Sequence, residues 1–140
     1  MSLMISLRNK SLLFTLFLLG CIMSHMSYAE DAEASTPAYI ELIPNFVVNN
    51  VGDGTRLKYI KTSISIRTTE SQKAIIEANM PLIRDALVMF LSSRTTEQVT
   101  GAIAREKTRE EGAEVVNKAL QEETGLSPVK DLLFASFVTQ

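Results

Sequence analysis

The clearest hydrophobic pattern in this chain is a helical stripe in the middle of the sequence. Its apolar positions are Ile76, Met80, Ile83, Leu87 and then Phe90 or Leu91. This spacing of i, i+4, i+7 and i+11 predicts an amphipathic helix that lies on a hydrophobic core. Strand-like segments precede and follow it, and a sheet needs such a helix to bury its apolar face.

Two local signals concern the start and the straightness of this helix. Thr68, Thr69 and Ser71 are candidate N-caps, because their hydroxyls can accept hydrogen bonds from the first-turn amides. Pro81 predicts either a kink or a fresh helix start just before it. Since the stripe keeps its phase across the proline, we expect one bent helix that ends within residues 92–95.

Three segments have strand patterns. Residues 39–49 form the first, and Pro44 confines it to a sheet edge or a bulge. A turn cluster around Asp53 predicts a hairpin to the second strand, residues 57–67, which alternates cleanly and predicts one buried and one solvated face. The third, Val129–Val138, is apolar on both faces, which predicts a central strand or one covered on both sides. The expected buried positions of the second strand are Ile60, Thr62, Ile64 and Ile66.

A second helix is predicted over residues 105–123. Thr95 and Gln98 have capping-box spacing before it, and Gly125 is a plausible stop after it. Its charges are dense and its apolar side is thin. The helix is therefore either a solvated surface element with one anchoring stripe or a face for a neighbouring subunit. The expected anchoring positions are Ala113, Val115, Val116 and Leu120.

Together these elements predict an α+β fold. The expected architecture is a small antiparallel or mixed sheet in β-β-α-α-β order, covered by a long amphipathic helix.

Composition narrows the range of chemistry. The 140 residues carry a formal charge of −2, and Arg8 and Lys10 are the only charges before Glu30. The rest of the chain is therefore mildly acidic, which argues against a nucleic-acid partner. The only cysteine, Cys21, and the only histidine, His25, also lie in this N-terminal segment. Without this segment, thiol or imidazole catalysis, disulfides and the usual zinc ligands are excluded, whereas a carboxylate-only or lysine-based site remains possible. We expect no cofactor and no metal.

Residues 1–29 have the order of an export signal: a basic start, an apolar run and the small-residue motif Ser27-Tyr28-Ala29. Three interpretations are open, namely a cleaved signal peptide, a lipoprotein signal at Cys21, and an uncleaved membrane anchor. All three export the body of the protein. Residues 30–38 are acidic and rich in small residues, which predicts a flexible tether before a domain of residues 39–140.

The order of motifs in residues 39–140 resembles the periplasmic domain of the flagellar basal body-associated FliL family. The closing segment, a phenylalanine-rich strand that ends in glutamine, is the most telling of them. The matching pieces are Tyr39, Phe46-Val47-Val48-Asn49, Leu57-Lys58-Tyr59-Ile60-Lys61, Pro81-Leu82-Ile83-Arg84-Asp85-Ala86, Phe90-Leu91-Ser92-Ser93, Val116-Asn117-Lys118-Ala119-Leu120 and residues 129–140.

This resemblance implies a fold similar to stomatin-type membrane-associated domains and a non-enzymatic role. Members of the family sit at the flagellar motor on the periplasmic side of the inner membrane, associate into rings around stator units and support motility. The sequence departs from the family in two places. Its apolar leader is shorter than a membrane span, and Thr100-Gly101-Ala102 interrupts the helical region after the serine pair.

The leading hypothesis is thus an exported scaffold that binds motor or stator proteins, or further copies of itself. The alternative is a periplasmic ligand-binding or inhibitor module unrelated to motility. An enzyme is the weakest hypothesis, because Arg84-Asp85 is the only polar interruption of the central helix and a structural role suits it better. The candidate partner-contact residues are Tyr59, Lys61, Arg67, Arg105, Arg109, Glu110 and Glu114.

Overall fold

The computed structural model describes residues 36–52, 54 and 58–140. The predicted leader, residues 30–35 of the predicted tether and the predicted turn at Asp53 lie outside these residues. The described part is α+β, as the sequence predicts. Its elements are β1 (Pro37–Glu41), β2 (Phe46–Asn50), β3 (Lys58–Thr69), a 3₁₀ turn (Glu70–Gln72), α1 (Lys73–Ala78), α2 (Met80–Ser92), α3 (Thr96–Val99), α4 (Ala102–Thr124) and β4 (Asp131–Thr139).

The sheet is built around β3, which pairs antiparallel with each of the other three described strands. Lys61 lies between Val47 of β2 and Val138 of β4, and Arg67 lies between Tyr39 of β1 and Asp131 of β4. A residue has only two strand neighbours, so β1 and β2 must follow each other along one edge of β3 while β4 occupies the other.

Pro44 divides the first predicted strand, residues 39–49, into β1 and β2, so three strands rather than two precede the helices. A proline that interrupts a strand in this way agrees with the predicted edge or bulge. The Ile43–Pro44 peptide bond is cis, and the ladder is interrupted there before it resumes at Phe46. β1 begins at Pro37, two residues before the predicted strand start, and Ala38 is buried. The last two residues of the predicted tether are therefore strand.

The prediction that the last strand is central, or covered on both sides, was wrong. Among the described strands, β4 pairs with β3 alone and forms an edge. Ser136 pairs with Ser63 but Phe134 pairs with Ile64, which leaves Ala135 as a bulge. The bulge shifts the side-chain phase, so that Phe134 and Phe137 share the core face although the sequence pattern assigns them to opposite faces.

The prediction of one bent helix across Pro81 was also wrong. The helical region divides at Asn79, and α2 starts afresh with Pro81 in its first turn, where a missing amide proton costs little. The Asn79 side chain donates to the Ile75 carbonyl oxygen of α1, 2.8 Å away, which helps to end that helix. The expected end of the helix is confirmed, since α2 stops at Ser92.

The expected hydroxyl caps do not form at the start of this region. Thr68 belongs to β3, and its hydroxyl donates to the carbonyl oxygen of Pro128 at 2.8 Å. Thr69 precedes the 3₁₀ turn, but its side chain bonds the Ser71 hydroxyl rather than a turn amide. By contrast, the capping box of Thr95 and Gln98 is present at α3.

Glycines bound α4 at both ends. Gly101 precedes the helix with φ of 91° and Gly125 follows it with φ of 74°, conformations that side-chain-bearing residues rarely adopt. The buried stripe of α4 runs through Thr108, Gly112, Val116 and Leu120. Val116 and Leu120 were expected there, whereas Thr108 and Gly112 were not.

The core lies between one face of the sheet and the helices. The alternation of β3 is confirmed, since Ile60, Thr62, Ile64 and Ile66 are all fully buried. From the helical layer, α2 contributes Ile83, Leu87, Phe90 and Leu91 to this core. The helices cover one face, and β3 exposes Lys61 and Arg67 on the opposite face, which we call the open face.

Within the described residues, no helix combines the length and the apolar character needed to cross a bilayer.

Candidate interaction surfaces

The open face of the sheet carries apolar and charged side chains in rows across the strands. The central row consists of Val47, Lys61 and Val138, paired in register. Val47 is 63% exposed and Val138 is 44% exposed. The Lys61 side chain has an apolar methylene stem, which the two valines flank, and a charged ammonium group at its end. This row therefore suits a contact that is partly apolar and partly charged.

One end of the open face is fixed by Tyr59. Its hydroxyl donates to the side-chain oxygen of Gln140, and the main chains of the two residues exchange two further hydrogen bonds, of 2.9 and 3.0 Å. Gln140 is thereby tied to the start of β3. Tyr59 is half-buried in this arrangement, so it anchors the chain end as well as facing outward.

The other end of the open face has an ion-pair cluster around Asp131, which we call the Asp131 cluster. Arg67 approaches the carboxylate from β3 at 3.7 Å, and Arg109 reaches it from α4. Arg109 also holds Glu106 through two hydrogen bonds. The structure thus unites two sequence-predicted contact residues, Arg67 and Arg109, through a carboxylate that no sequence pattern had indicated.

The hydrogen bonds between Arg109 and Glu106 shift the pKa of both side chains, in opposite directions. The hydrogen bonds from Arg109, reinforced by its charge, hold the pKa of the Glu106 carboxyl below its ordinary value of 4.5. The same hydrogen bonds raise the pKa of the Arg109 guanidinium further above its ordinary value. The charge state of the pair is therefore fixed at neutral pH.

The remaining predicted contact residues lie along α4. Arg105 is exposed near its start, and its Nε donates to the Gly101 carbonyl oxygen at 3.2 Å. Glu110 and Glu114 come later on the exposed side and line a shallow groove beside β4. This side of the helix is separate from the Val47–Lys61–Val138 row, so the candidate residues divide between two surfaces.

A larger groove, which we call the edge groove, runs between α4 and β4. It has a volume of about 490 Å³. The rings of Phe134 and Phe137 stack at a tilt with centroids 5.0 Å apart, and both rings are half-exposed. Sequence patterns did not reveal this groove because it depends on the bulge at Ala135. The lining residues are Ala102, Arg105, Glu106, Arg109 and Leu133 to Phe137.

Arg84, one of the two charged residues of α2, has a packing role. Its guanidinium lies over the ring of Phe46, 4.3 Å from the centroid, and joins α2 to β2. This agrees with the structural role that the sequence favoured over an acid–base role. In the described part of the chain, no three His, Cys, Asp or Glu side chains gather closely enough to hold a metal ion. The predicted lack of metal and cofactor stays a prediction.

Comparison with known proteins identifies the domain. The profile of the family described as flagellar basal body-associated protein FliL matches residues 39–140. A curated flagellar protein FliL from Aquifex aeolicus (strain VF5) is 29% identical over 101 residues, which is 71% of this chain and 60% of that protein. The chain thus matches somewhat less than two thirds of this relative. The resemblance noted in the sequence is confirmed over the same residues.

Proposed function

This chain belongs to the FliL family of flagellar basal body-associated proteins, and from that premise we propose that it is a non-enzymatic scaffold of the flagellar motor. The family match over residues 39–140 carries the proposal, because it includes nearly every described element rather than one motif. In this role the protein supports motility by binding stator proteins or by associating with further copies of itself. The similarity to stomatin-type domains stays a prediction.

The proposal places the domain on the periplasmic side of the inner membrane. The support is the leader sequence, whose positive charges precede the apolar run and favour export of the residues after that run. Intact-mass analysis of the protein from fractionated cells tests this. A soluble species starting at Glu30, a membrane species starting at Met1 and an acylated species starting at Cys21 correspond to the three interpretations. Recovery from the cytoplasm would contradict all of them.

The open face is the first candidate for the contact with motor proteins. Its apolar residues are exposed although the sheet has a well-filled core on the other side. Substitutions there cost little folding free energy, because they remove few packed atoms. A motility defect in a stable variant would therefore report on binding rather than on folding.

The test is complementation of a deletion strain in a soft-agar swimming assay. We expect the pair Val47→Glu and Lys61→Glu to reduce the swimming radius while the thermal midpoint stays near that of the original protein. Lys73→Glu is the matched control, because Lys73 is a partly exposed lysine of α1 that belongs neither to the open face nor to α4. Normal swimming by the stable double variant would reject the open face as the contact surface.

The exposed side of α4 is the second candidate surface. Arg105, Glu110 and Glu114 can be reversed in charge with little effect on folding because they lie on or near the solvent side. Arg67 and Arg109 are poorer probes, since their removal also disrupts the Asp131 cluster. Tyr59 has the same drawback, because it holds Gln140.

One observation favours the alternative of a periplasmic ligand-binding module. A cleft of about 270 Å³ lies between the end of β2 and the start of α3, close to the lower limit of small-molecule sites. A deletion strain that swims normally would reject the motor role and direct attention to this cleft. If the deletion strain does not swim, it can be complemented with the double variant Thr95→Ala and Thr96→Ala, which alters the lining of the cleft. Full restoration of swimming by this variant would show that the cleft has no role in motility.

A further inference from the structure

The edge groove has the geometry of a site that binds an extended peptide. In the described part of the sheet, β4 pairs with β3 on one side only, so the main-chain groups along its other side lack a neighbouring strand. α4 runs beside this free edge and forms the second wall. A strand edge with a parallel or antiparallel helix as its wall can accept one more strand, whose main chain supplies affinity while its side chains supply specificity.

The edge is unusually open to pairing. β4 has no charged residue and no proline between Leu132 and Thr139, and those are the devices with which sheet edges ordinarily resist added strands. The bulge at Ala135 is the one interruption, and it divides the edge into two short regular runs. Residues Leu133 to Phe137 present roughly 17 Å of main chain to an added strand, at the usual rise per residue.

The chemistry of the groove selects among possible strands. Its floor is the Phe134–Phe137 ring pair, which suits an apolar side chain. Glu106 and Asp131 are both occupied by Arg109. Arg105 has no carboxylate partner among the described residues, and its guanidinium retains donors beyond the Nε that bonds Gly101. The groove is therefore complementary to a carboxylate next to an apolar residue.

We infer that the edge groove binds an extended segment of a partner protein, in which an acidic side chain meets Arg105 and a neighbouring apolar side chain covers Phe134 and Phe137. A second copy of β4 fits less well, because its one carboxylate, that of Asp131, already pairs with Arg67 and Arg109. This inference does not depend on the proposed motor role, since it follows from the groove alone.

The test uses the full-length protein in detergent as bait for a phage library of random short linear peptides. We expect enrichment of sequences that combine an acidic residue with aliphatic or aromatic neighbours. A synthetic version of the enriched peptide should bind equally to the wild-type protein and to the control Lys73→Glu, because Lys73 does not line the edge groove. N-methylation of alternate peptide residues should weaken binding by about tenfold or more, because it removes main-chain donors without changing the side chains.

Two protein variants separate the parts of the inference. Arg105→Glu should weaken the binding of the acidic peptide and shift the phage selection toward peptides that contain Lys or Arg. Ala135→Pro should weaken the binding of all enriched peptides, because proline lacks the main-chain N–H. Position 135 is chosen because a strand tolerates proline best at a bulge. If Ala135→Pro does not fold, Arg105→Glu still provides the test. No enrichment, or binding indifferent to both N-methylation and Arg105→Glu, would overturn the inference. A wild-type dimer abolished by Ala135→Pro, without peptide enrichment, would overturn it in favour of self-pairing through β4.

Discussion

The side chain of Asn117 pairs with the backbone of Val129 as a neighbouring strand would. Asn117 Nδ2 donates to the Val129 carbonyl oxygen at 2.8 Å, and the Val129 amide donates back to Oδ1 at 2.9 Å. The two bonds fix the chain between the end of α4 and the start of β4. They also satisfy backbone groups of a residue that is nearly fully buried.

Asn117→Ala should therefore destabilise the domain more than an ordinary surface substitution. It leaves both a donor and an acceptor of Val129 without partners, for which we expect a loss of about 2–4 kcal/mol in urea denaturation. Gln121→Ala is the control, since Gln121 also bonds a backbone carbonyl, that of Gly125, but on the exposed side of the helix. Equal and small losses for the two variants would show that water replaces the Asn117 bonds.

The regular parts of this fold follow from local patterns. β3 was predicted in detail because a sheet with one buried face imposes strict alternation on its central strand. The capping box at Thr95 and the glycine stop at Gly125 were predicted because each depends on neighbouring residues only.

The parts that were missed depend on tertiary contacts. No local signal in Leu133-Phe134-Ala135-Ser136 marks a bulge, which forms where the β3 and β4 registers meet and where the Thr62 hydroxyl donates to the Ser136 carbonyl oxygen. The Asp131 cluster joins residues from three elements that are distant in sequence. The sequence could therefore predict individual contact residues, whereas only the structure showed which of them lie on the same surface.

Gly112 is buried for a steric reason that hydrophobic patterns do not register. A Cβ atom at this position would lie 2.9 Å from Leu132 Cδ1 and 3.3 Å from Phe90 Cε1, and Leu132 is fully buried. Gly112→Leu should lower the free energy of unfolding by about 1–3 kcal/mol or more through overpacking. Glu114→Leu, which adds the same side chain at an exposed position of the helix, should change it by less than about 0.5 kcal/mol. A stable Gly112→Leu variant would mean that α4 can move away from β4 at little cost.

The variant Gly112→Ala separates the effect of helix propensity from the effect of steric crowding against Leu132. Alanine is favoured over glycine in a helix by about 1 kcal/mol, and the close Leu132 contact opposes that gain. We expect a net change within about 1 kcal/mol of zero, far smaller than for leucine. Thermal denaturation of the two variants side by side measures the difference.

Arg94 contributes through its planar group as well as its charge. The guanidinium lies 4.1 Å from the centroid of the Phe90 ring, and its Nη1 bonds the Glu111 carboxylate. Arg94→Lys keeps the charge but loses the stacked plane, so we expect a loss of about 1 kcal/mol. Arg105→Lys, on an exposed arginine without such a stack, should be close to neutral. A double-mutant cycle of Arg94→Gln with Glu111→Gln then isolates the ion pair, because each single variant removes one charge, and additive effects would show that stacking dominates.

The Glu106–Arg109 pair should make a pH-dependent contribution to stability. The hydrogen bonds from Arg109 lower the folded-state pKa of Glu106 below the 4.5 expected for an unpaired glutamate. A lowered carboxyl pKa stabilises the fold above the unfolded-state pKa, and this stabilisation disappears as the pH falls through the folded-state value. The urea midpoint of the wild type should therefore exceed that of Glu106→Gln at neutral pH, and the two should converge in acid.

The partner residue provides the decisive comparison for this last effect. In an Arg109→Gln background the guanidinium that lowers the Glu106 pKa is absent, so Glu106→Gln should change the midpoint little at any pH. The single variant Arg109→Gln should itself cost more than Glu106→Gln, because it also releases Asp131. A midpoint difference between wild type and Glu106→Gln that persists unchanged into acid would contradict a charge-based pair and indicate packing of the side chain instead.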